Sequence, residues 1–155
     1  MVSGLRGLLL GIVVLGALGL IAELLLLEHY EEWTQWLPLV ALACVLPGAL
    51  ALWLRPGLAT VRVFRALMVG TLLLGVVGLV LHFAGNREFE LERNGDLRGW
   101  TLIWESLRGA TPALAPGALG QLGLIGLAST FRHPALRHSP CVRRRGADVD
   151  HGATR

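Results

Sequence analysis

Two ionisable residues lie within long apolar stretches of this sequence, where few other polar side chains occur. They are Glu23 and His82, each near the end of its stretch. An ionisable group within lipid costs free energy, so it marks either a functional site or a buried structural pair. A carboxylate beside an imidazole can hold a metal ion or exchange a proton. Glu23 and His82 are therefore the first candidates for chemistry.

Further metal-ligand types flank these two residues. His29 and Glu88 add an imidazole and a carboxylate near the ends of the same stretches. Together with Glu23 and His82 they form a set suited to zinc, copper or another divalent metal ion, the one cofactor that the sequence suggests. The spacing matches no established metal signature, since both HExxH and CxxC are absent. A metal site, a proton site and a purely structural pair all stay open as interpretations.

A third polar residue, Gln121, lies in another apolar stretch. Glu23, His82 and Gln121 define a predicted polar path, although Gln121 can also serve only to join two helices by a hydrogen bond. The sequence has no Ser-His-Asp order, and its many glycines lie within apolar stretches where phosphate has no access. We therefore predict that the protein is not an enzyme.

The elements that position these residues are predicted to be transmembrane helices. Hydrophobic residues make up 54% of the 155 positions and charged residues 16%, outside the range of soluble domains. Four stretches have about the length that a helix needs to cross a bilayer: 8–27, 37–54, 66–84 and 112–128. The chain is expected to be an all-α integral membrane protein, with residues 1–138 forming one four-helix transmembrane domain.

Arginine placement predicts the orientation. Arginines precede span one, fill the loop between spans two and three, and follow span four: Arg6, Arg55, Arg62, Arg65, Arg132, Arg137, Arg143, Arg144 and Arg145. Because cytoplasmic loops retain positive charge, both termini are expected on the cytoplasmic side of a bacterial-type inner membrane. The same topology explains the net charge of +3 without nucleic acid as a partner. Residues 139–155 are expected to form a disordered basic cytoplasmic tail.

The outer segment between spans three and four has two parts. Residues 88–92 alternate with period two. Apolar residues then recur at helical spacing: Leu97, Trp100, Trp104 and Leu107. Asp96 is a candidate cap for the start of this helix and Gly109 for its end. The pattern predicts a short amphipathic helix that lies flat on the outer membrane surface or acts as a lid.

The sequence also indicates an internal duplication. A shift of 59 residues aligns span one with span three: Gly11, Gly16, Gly19 and Glu23 fall on Gly70, Gly75, Gly78 and His82. We predict two tandem helical hairpins, about 1–59 and 60–136, related by an axis along the membrane normal. Small residues let helices approach closely, so the two glycine faces are expected to pack on each other and bring Glu23 to His82.

A shift of 69 residues aligns the second spans of the two hairpins, with Pro47-Gly48 falling on Pro116-Gly117. Proline removes a backbone hydrogen bond, so a kink is predicted at each site. Kinks at corresponding repeat positions either line a transport site or serve helix packing.

Two functions compete on these grounds. The first is a small multi-pass membrane protein whose outward-facing polar site binds a metal ion or handles protons or a small solute. The second is an accessory or assembly subunit of a larger membrane complex. The predicted partners are the lipid bilayer and either a second copy of the chain or another membrane subunit.

Overall fold

The computed structural model describes residues 2–109 and 116–136, with side chains from residue 4 onward. The helices in these ranges are α1 (Val2–Leu26), α2 (Trp36–Leu54), α3 (Leu58–Arg93), α4 (Gly99–Arg108) and α5 (Pro116–Ser129). Short 3₁₀ helices occupy Trp33–Gln35 and Pro134–Leu136. No strand occurs in the described ranges, which confirms the all-α prediction there.

Three stretches are long and apolar enough to cross a membrane: Gly4–Leu26, Trp33–Leu54 and Leu58–Arg93. They cover the first three predicted spans to within one residue and indicate a membrane protein. Helix α5 has 14 described residues, and the start of the fourth predicted span lies outside the described residues. The predicted tail, residues 139–155, also lies outside them. A fourth crossing and the orientation of the termini stay predictions.

Helix α3 is longer than its predicted span. Its 36 residues extend about 54 Å, whereas a hydrocarbon core is about 30 Å thick, so the helix is longer than a crossing requires. The period-two residues 88–92 belong to this helix and are not extended chain. Two of its three acids, Glu88 and Glu92, are exposed and lie about 40° apart on one side of the helix. Glu90 is the exception, since it is buried and bonds to Arg93 at 2.6 Å.

Helices α1, α2, α3 and α5 form a four-helix bundle. In the order α1, α2, α3, α5, each helix packs on the next and α5 packs back on α1. Helices α1 and α3 therefore occupy opposite corners, as do α2 and α5. The core is apolar and includes Val13, Leu42, Val45, Phe64 and Met68.

Helices α3 and α5 approach to backbone contact. A Cβ atom on Gly123 would lie 2.7 Å from the carbonyl oxygen of Met68, and one on Gly75 would lie 2.8 Å from the Cα of Gly120. Gly120, Gly123 and Gly126 recur every third residue on α5 and are all buried. Helix α5 thus presents a side-chain-free surface to α3, which allows van der Waals contact along both helices.

Gly16 of α1 and both Gly75 and Gly78 of α3 pack on α5, and the two glycine faces do not pack on each other. Gly16 of α1 faces Leu122, and Gly78 of α3 faces Pro116. The prediction that the two faces pack together is therefore wrong. The physical reason is that α5, with its own glycines, lies between these helices in the bundle.

The two Pro-Gly pairs differ in their surroundings. Helix α2 continues through Pro47, and a Cβ on Gly48 would lie 2.8 Å from Cδ1 of Leu67, so Gly48 serves packing against α3. Pro116 is the first described residue of α5, so the predicted kink there cannot be compared with a preceding turn, because residues 110–115 lie outside the described residues. A Cβ on Gly117 would meet no described atom within 4 Å.

The predicted amphipathic helix in the outer segment is α4. It folds back along the carboxyl-terminal end of α3, where Nδ2 of Asn86 donates a hydrogen bond to the carbonyl oxygen of Ser106 at 3.0 Å. The cap at its start is Arg98 and not the predicted Asp96, while Gly109 ends it as expected and lies against Asn86. Because Gly109 has no side chain, it fits where any Cβ would meet the Asn86 amide.

At the other end of the bundle, Arg6 of α1 joins the chain that follows α5. Its Nη2 donates hydrogen bonds to the carbonyl oxygens of Phe131 at 3.2 Å and Arg132 at 2.9 Å. A cation is favourable at the carboxyl end of a helix, where carbonyl groups lack helical partners. Arg6 therefore clamps two corners of the bundle in addition to its predicted role in topology.

His133 lies beside this clamp and outside the predicted spans. Burial, and then the charge of Arg6, lower the pKa of His133 from 6.5. The unfolded chain therefore binds the proton more readily than the folded protein does. The neutral ring of His133 contributes fully to stability when the pH is above the pKa that His133 has in the unfolded chain. This contribution is lost as the pH falls from that pKa through the lower pKa of His133 in the folded protein.

We therefore expect His133→Gln to reduce the fall in melting temperature between about pH 7.5 and about pH 5.5. Thermal unfolding of both proteins in detergent measures this difference. An identical pH dependence in the variant and the wild type would contradict it.

Candidate functional site

Helix α1 ends in a Schellman motif, which sets the course of the chain that follows. The N–H of His29 bonds to the carbonyl of Leu24 at 2.9 Å, and the N–H of Glu28 bonds to the carbonyl of Leu25 at 3.2 Å. Glu28 has a φ of 53°, the left-handed conformation that this position requires and that glycine usually supplies. The motif therefore determines where His29 leaves the helix.

Glu28→Gly is expected to raise the free energy of unfolding by about 1 kcal/mol, because glycine adopts the left-handed conformation without the steric cost of a side chain. Thermal unfolding in detergent measures the change. Glu31→Gly is the matched control, since it removes the same charge from the same turn without relieving a left-handed residue. Equal destabilisation of both variants would contradict the assignment.

Side-chain hydrogen bonds close the turn between α1 and α2. Trp36 Nε1 donates to the carbonyl of Tyr30 at 3.0 Å, and the two rings lie 6.4 Å apart. Oε1 of Gln35 accepts from the N–H groups of Glu31 at 2.8 Å and Glu32 at 3.2 Å. These bonds hold the backbone just after His29, so its ring is presented from an ordered turn.

The structure brings His29 next to His82 of α3. Their ring centroids lie 6.3 Å apart, with 33° between the ring planes. Both residues are half-buried. Two imidazoles that bind one metal ion through nitrogens at about 2 Å have centroids about 5 Å apart at a tetrahedral angle and about 6.3 Å apart when they lie on opposite sides of the ion. The separation of the pair therefore matches two opposite ligands and is about 1 Å longer than a tetrahedral ion requires.

The other predicted site residues lie apart from this pair. Glu23 and Gln121 are exposed on the outside of α1 and α5. Glu88 is also exposed, and six residues along α3 place it about 120° around the helix from His82. Within the described residues, no group of three or more His, Cys, Asp or Glu side chains is placed to hold a metal ion. A polar path through Glu23, His82 and Gln121 stays a prediction, and two of its three members, Glu23 and Gln121, are exposed.

Two polar residues beyond His82 are buried, which was not predicted from the sequence. Asn86 and Glu90 follow His82 at intervals of four residues on one side of α3, and both are buried. Asn86 bonds to α4 and Glu90 to Arg93. The spacing of four was the available signal, since it places polar side chains on one side of a helix. This polar row connects the histidine pair to the contact between α3 and α4.

Comparison with known proteins supplies no further assignment. No protein family model, no curated protein and no solved structure matches this chain. The candidate function therefore rests on the side chains and geometry described above.

Proposed function

We propose that this chain is a small, non-enzymatic, multi-pass membrane protein whose outward-facing histidine pair, His29 and His82, binds a divalent metal ion. The observation that carries this proposal is the 6.3 Å separation of the two rings. Neutral imidazole is the commonest metal ligand in proteins, and it suits zinc, copper and nickel. Water or a solute ligand completes the coordination. Proton handling by the same two rings is the alternative chemistry of this site.

The proposal includes four membrane crossings by two duplicated hairpins, with both termini in the cytoplasm of an inner membrane. The ring order of the bundle supports it, because a two-fold axis along the membrane normal places equivalent helices at opposite corners. The aligned glycines Gly16 and Gly75 contact α5 at Leu122 and Gly120, which differ by about 3 Å in depth. Exact two-fold symmetry would direct Gly75 toward α2, because Gly16 faces α5. Both glycines face α5, so the packing contacts of the two copies have diverged.

Metal binding to the purified full-length protein in mild detergent tests the function. Zinc, copper and nickel are titrated by calorimetry, and bound metal is measured by elemental analysis. We expect about one ion per chain, and a loss of affinity of at least about tenfold in His29→Ala and in His82→Ala.

The controls are Glu23→Gln, at the first candidate from the sequence, and His133→Gln, at a histidine far from the pair. Both are expected to bind metal as the wild type does. Wild-type affinity in the His29→Ala variant would exclude the pair as the site. Absence of any bound ion would exclude the metal function, and titration of both rings by NMR would then test proton handling.

A second candidate function is an accessory or assembly subunit of a larger membrane complex. The aromatic face of α4 favours it, because the side chains of Trp100, Ile103 and Trp104 are 73%, 41% and 48% exposed. Exposed tryptophans are typical both of protein interfaces and of the lipid headgroup layer. Co-purification of one defined partner from gently solubilised membranes, lost in Trp100→Ser, would support this function. Isolation as a lone monomer would count against it.

A further inference from the structure

An apolar groove lies between α2 and α3 on the outside of the bundle. Its volume is about 360 Å³, and its walls include Ala41 of α2 with Val63, Ala66, Gly70 and Leu74 of α3. Small residues form the floor, and a Cβ on Gly70 would meet no described atom within 4 Å. The groove lies along two helices of membrane-spanning length, so it faces lipid and not water.

The hydroxyl group in this groove does not make it polar. Thr71 lines the wall, and its Oγ1 donates to the carbonyl of Leu67 at 2.8 Å. The hydroxyl proton is thereby satisfied within α3. The groove therefore offers an apolar surface to a ligand, and the Thr71 hydroxyl offers it no free hydrogen-bond donor.

Positive charge lies at one end of the groove. Arg62 precedes Ala66 by four residues, so it lies one turn away on the same side of α3. Arg55 caps α2 and follows Gly48, which packs on α3, by seven residues, so it lies on the α3-facing side of α2. Both arginines are exposed, and residues 55–65 contain no acid.

We propose that this groove binds an anionic phospholipid, with one acyl chain along the floor and the phosphate of its headgroup at Arg55 and Arg62. Arginine binds phosphate through paired N–H donors, and basic side chains beside a span attract anionic lipid. Apolar floor and basic rim together match the two parts of one phospholipid molecule.

A second copy of the chain fits this groove less well. Two copies in one membrane have the same orientation, so a dimer through this groove would bring the arginines of both copies to the same level. Like charges would then oppose each other at the interface, whereas a phosphate neutralises them. The inference requires that α2 and α3 lie in a membrane, and it does not depend on the histidine pair.

Native mass spectrometry of the full-length protein in mild detergent tests the headgroup. Phosphatidylglycerol and phosphatidylcholine with identical acyl chains are the probes. We expect phosphatidylglycerol to bind more tightly, and Arg55→Gln or Arg62→Gln to weaken it by about fivefold without changing phosphatidylcholine.

Arg65→Gln is the matched control, because Arg65 is an exposed arginine of the same segment that lies about 140° around α3 from Gly70, whereas Arg62 lies about 80° from it. It is expected to leave phosphatidylglycerol binding unchanged. Equal binding of the two lipids by the wild type would overturn the proposal. So would a loss in Arg65→Gln as large as that in Arg62→Gln.

Gly70→Leu tests the acyl chain site, since the new side chain enters the open floor of the groove. We expect weaker binding of both lipids and an unchanged melting temperature. Ala66→Leu is the second variant, used if Gly70→Leu lowers the melting temperature. Unchanged affinity for both lipids in the folded variant would overturn the proposal, as would a change from dimer to monomer without a change in lipid binding.

Discussion

Gly123→Ala is expected to lower the free energy of unfolding by about 2 to 3 kcal/mol, because the added methyl group cannot fit between α3 and α5. Its Cβ would lie 2.7 Å from the carbonyl oxygen of Met68 and 2.8 Å from the backbone nitrogen of Leu72. Both atoms belong to the backbone of α3, so no side-chain rotation makes room. The helices must separate, and van der Waals contact is lost along both of them.

Denaturant unfolding in mixed micelles, followed by circular dichroism, measures this effect. Gly117→Ala in the same helix is the control, because its Cβ would meet no described atom within 4 Å. Alanine forms helix better than glycine by about 1 kcal/mol, so the control is expected to be neutral or stabilised. Equal stability of the two variants would show that α3 and α5 do not make this contact.

Arg6→Gln is expected to lower the free energy of unfolding by about 2 kcal/mol, because it removes charge-assisted hydrogen bonds to two carbonyl oxygens after α5. Nε of Arg6 is buried without a hydrogen-bond partner among the described residues, so relief of that group offsets part of the loss. Arg6→Lys retains the positive charge but replaces the planar guanidinium group and its paired N–H donors with a single ammonium group. We therefore expect an intermediate loss in the free energy of unfolding. The same unfolding measurement in mixed micelles reports all of these variants.

Arg65→Gln is the matched control for Arg6→Gln. The shift of 59 residues aligns these two arginines, and Arg65 is exposed on the same predicted side of the membrane. We expect its removal to change stability by less than about 0.5 kcal/mol. An equal loss in both variants would mean that Arg6 acts through its net charge and not through the clamp.

The helices themselves could be predicted from the sequence, because the requirement is local. An apolar stretch of about 20 residues in lipid must satisfy its backbone hydrogen bonds within itself, and a helix does so. Helix α4 was also predictable from its apolar spacing, which its own residues carry. The end of α3 was not, since the alternation at residues 88–92 does not distinguish a strand from the continuation of a helix.

Which helices are neighbours was decided only by the tertiary structure. Glycine faces can pack on any smooth partner, and the spacing of Gly16 or Gly75 carries no information about which helix that partner is. The period-three glycines of α5 allow backbone contact with α3, and α5 therefore takes the position between α1 and α3. For this reason the alignment of Glu23 with His82 did not predict that the neighbour of His82 is His29.

The candidate site likewise combines features that the local sequence determines with one that only tertiary packing decides. The sequence by itself determined that His29 and His82 lie near the ends of apolar helices, because hydropathy sets where an apolar stretch ends. Only the tertiary structure brought the two rings to 6.3 Å, since this distance depends on the left-handed Glu28 and on the bonds that close the next turn. Depth follows from transfer free energies summed along the chain, whereas the meeting of two side chains depends on how distant segments pack.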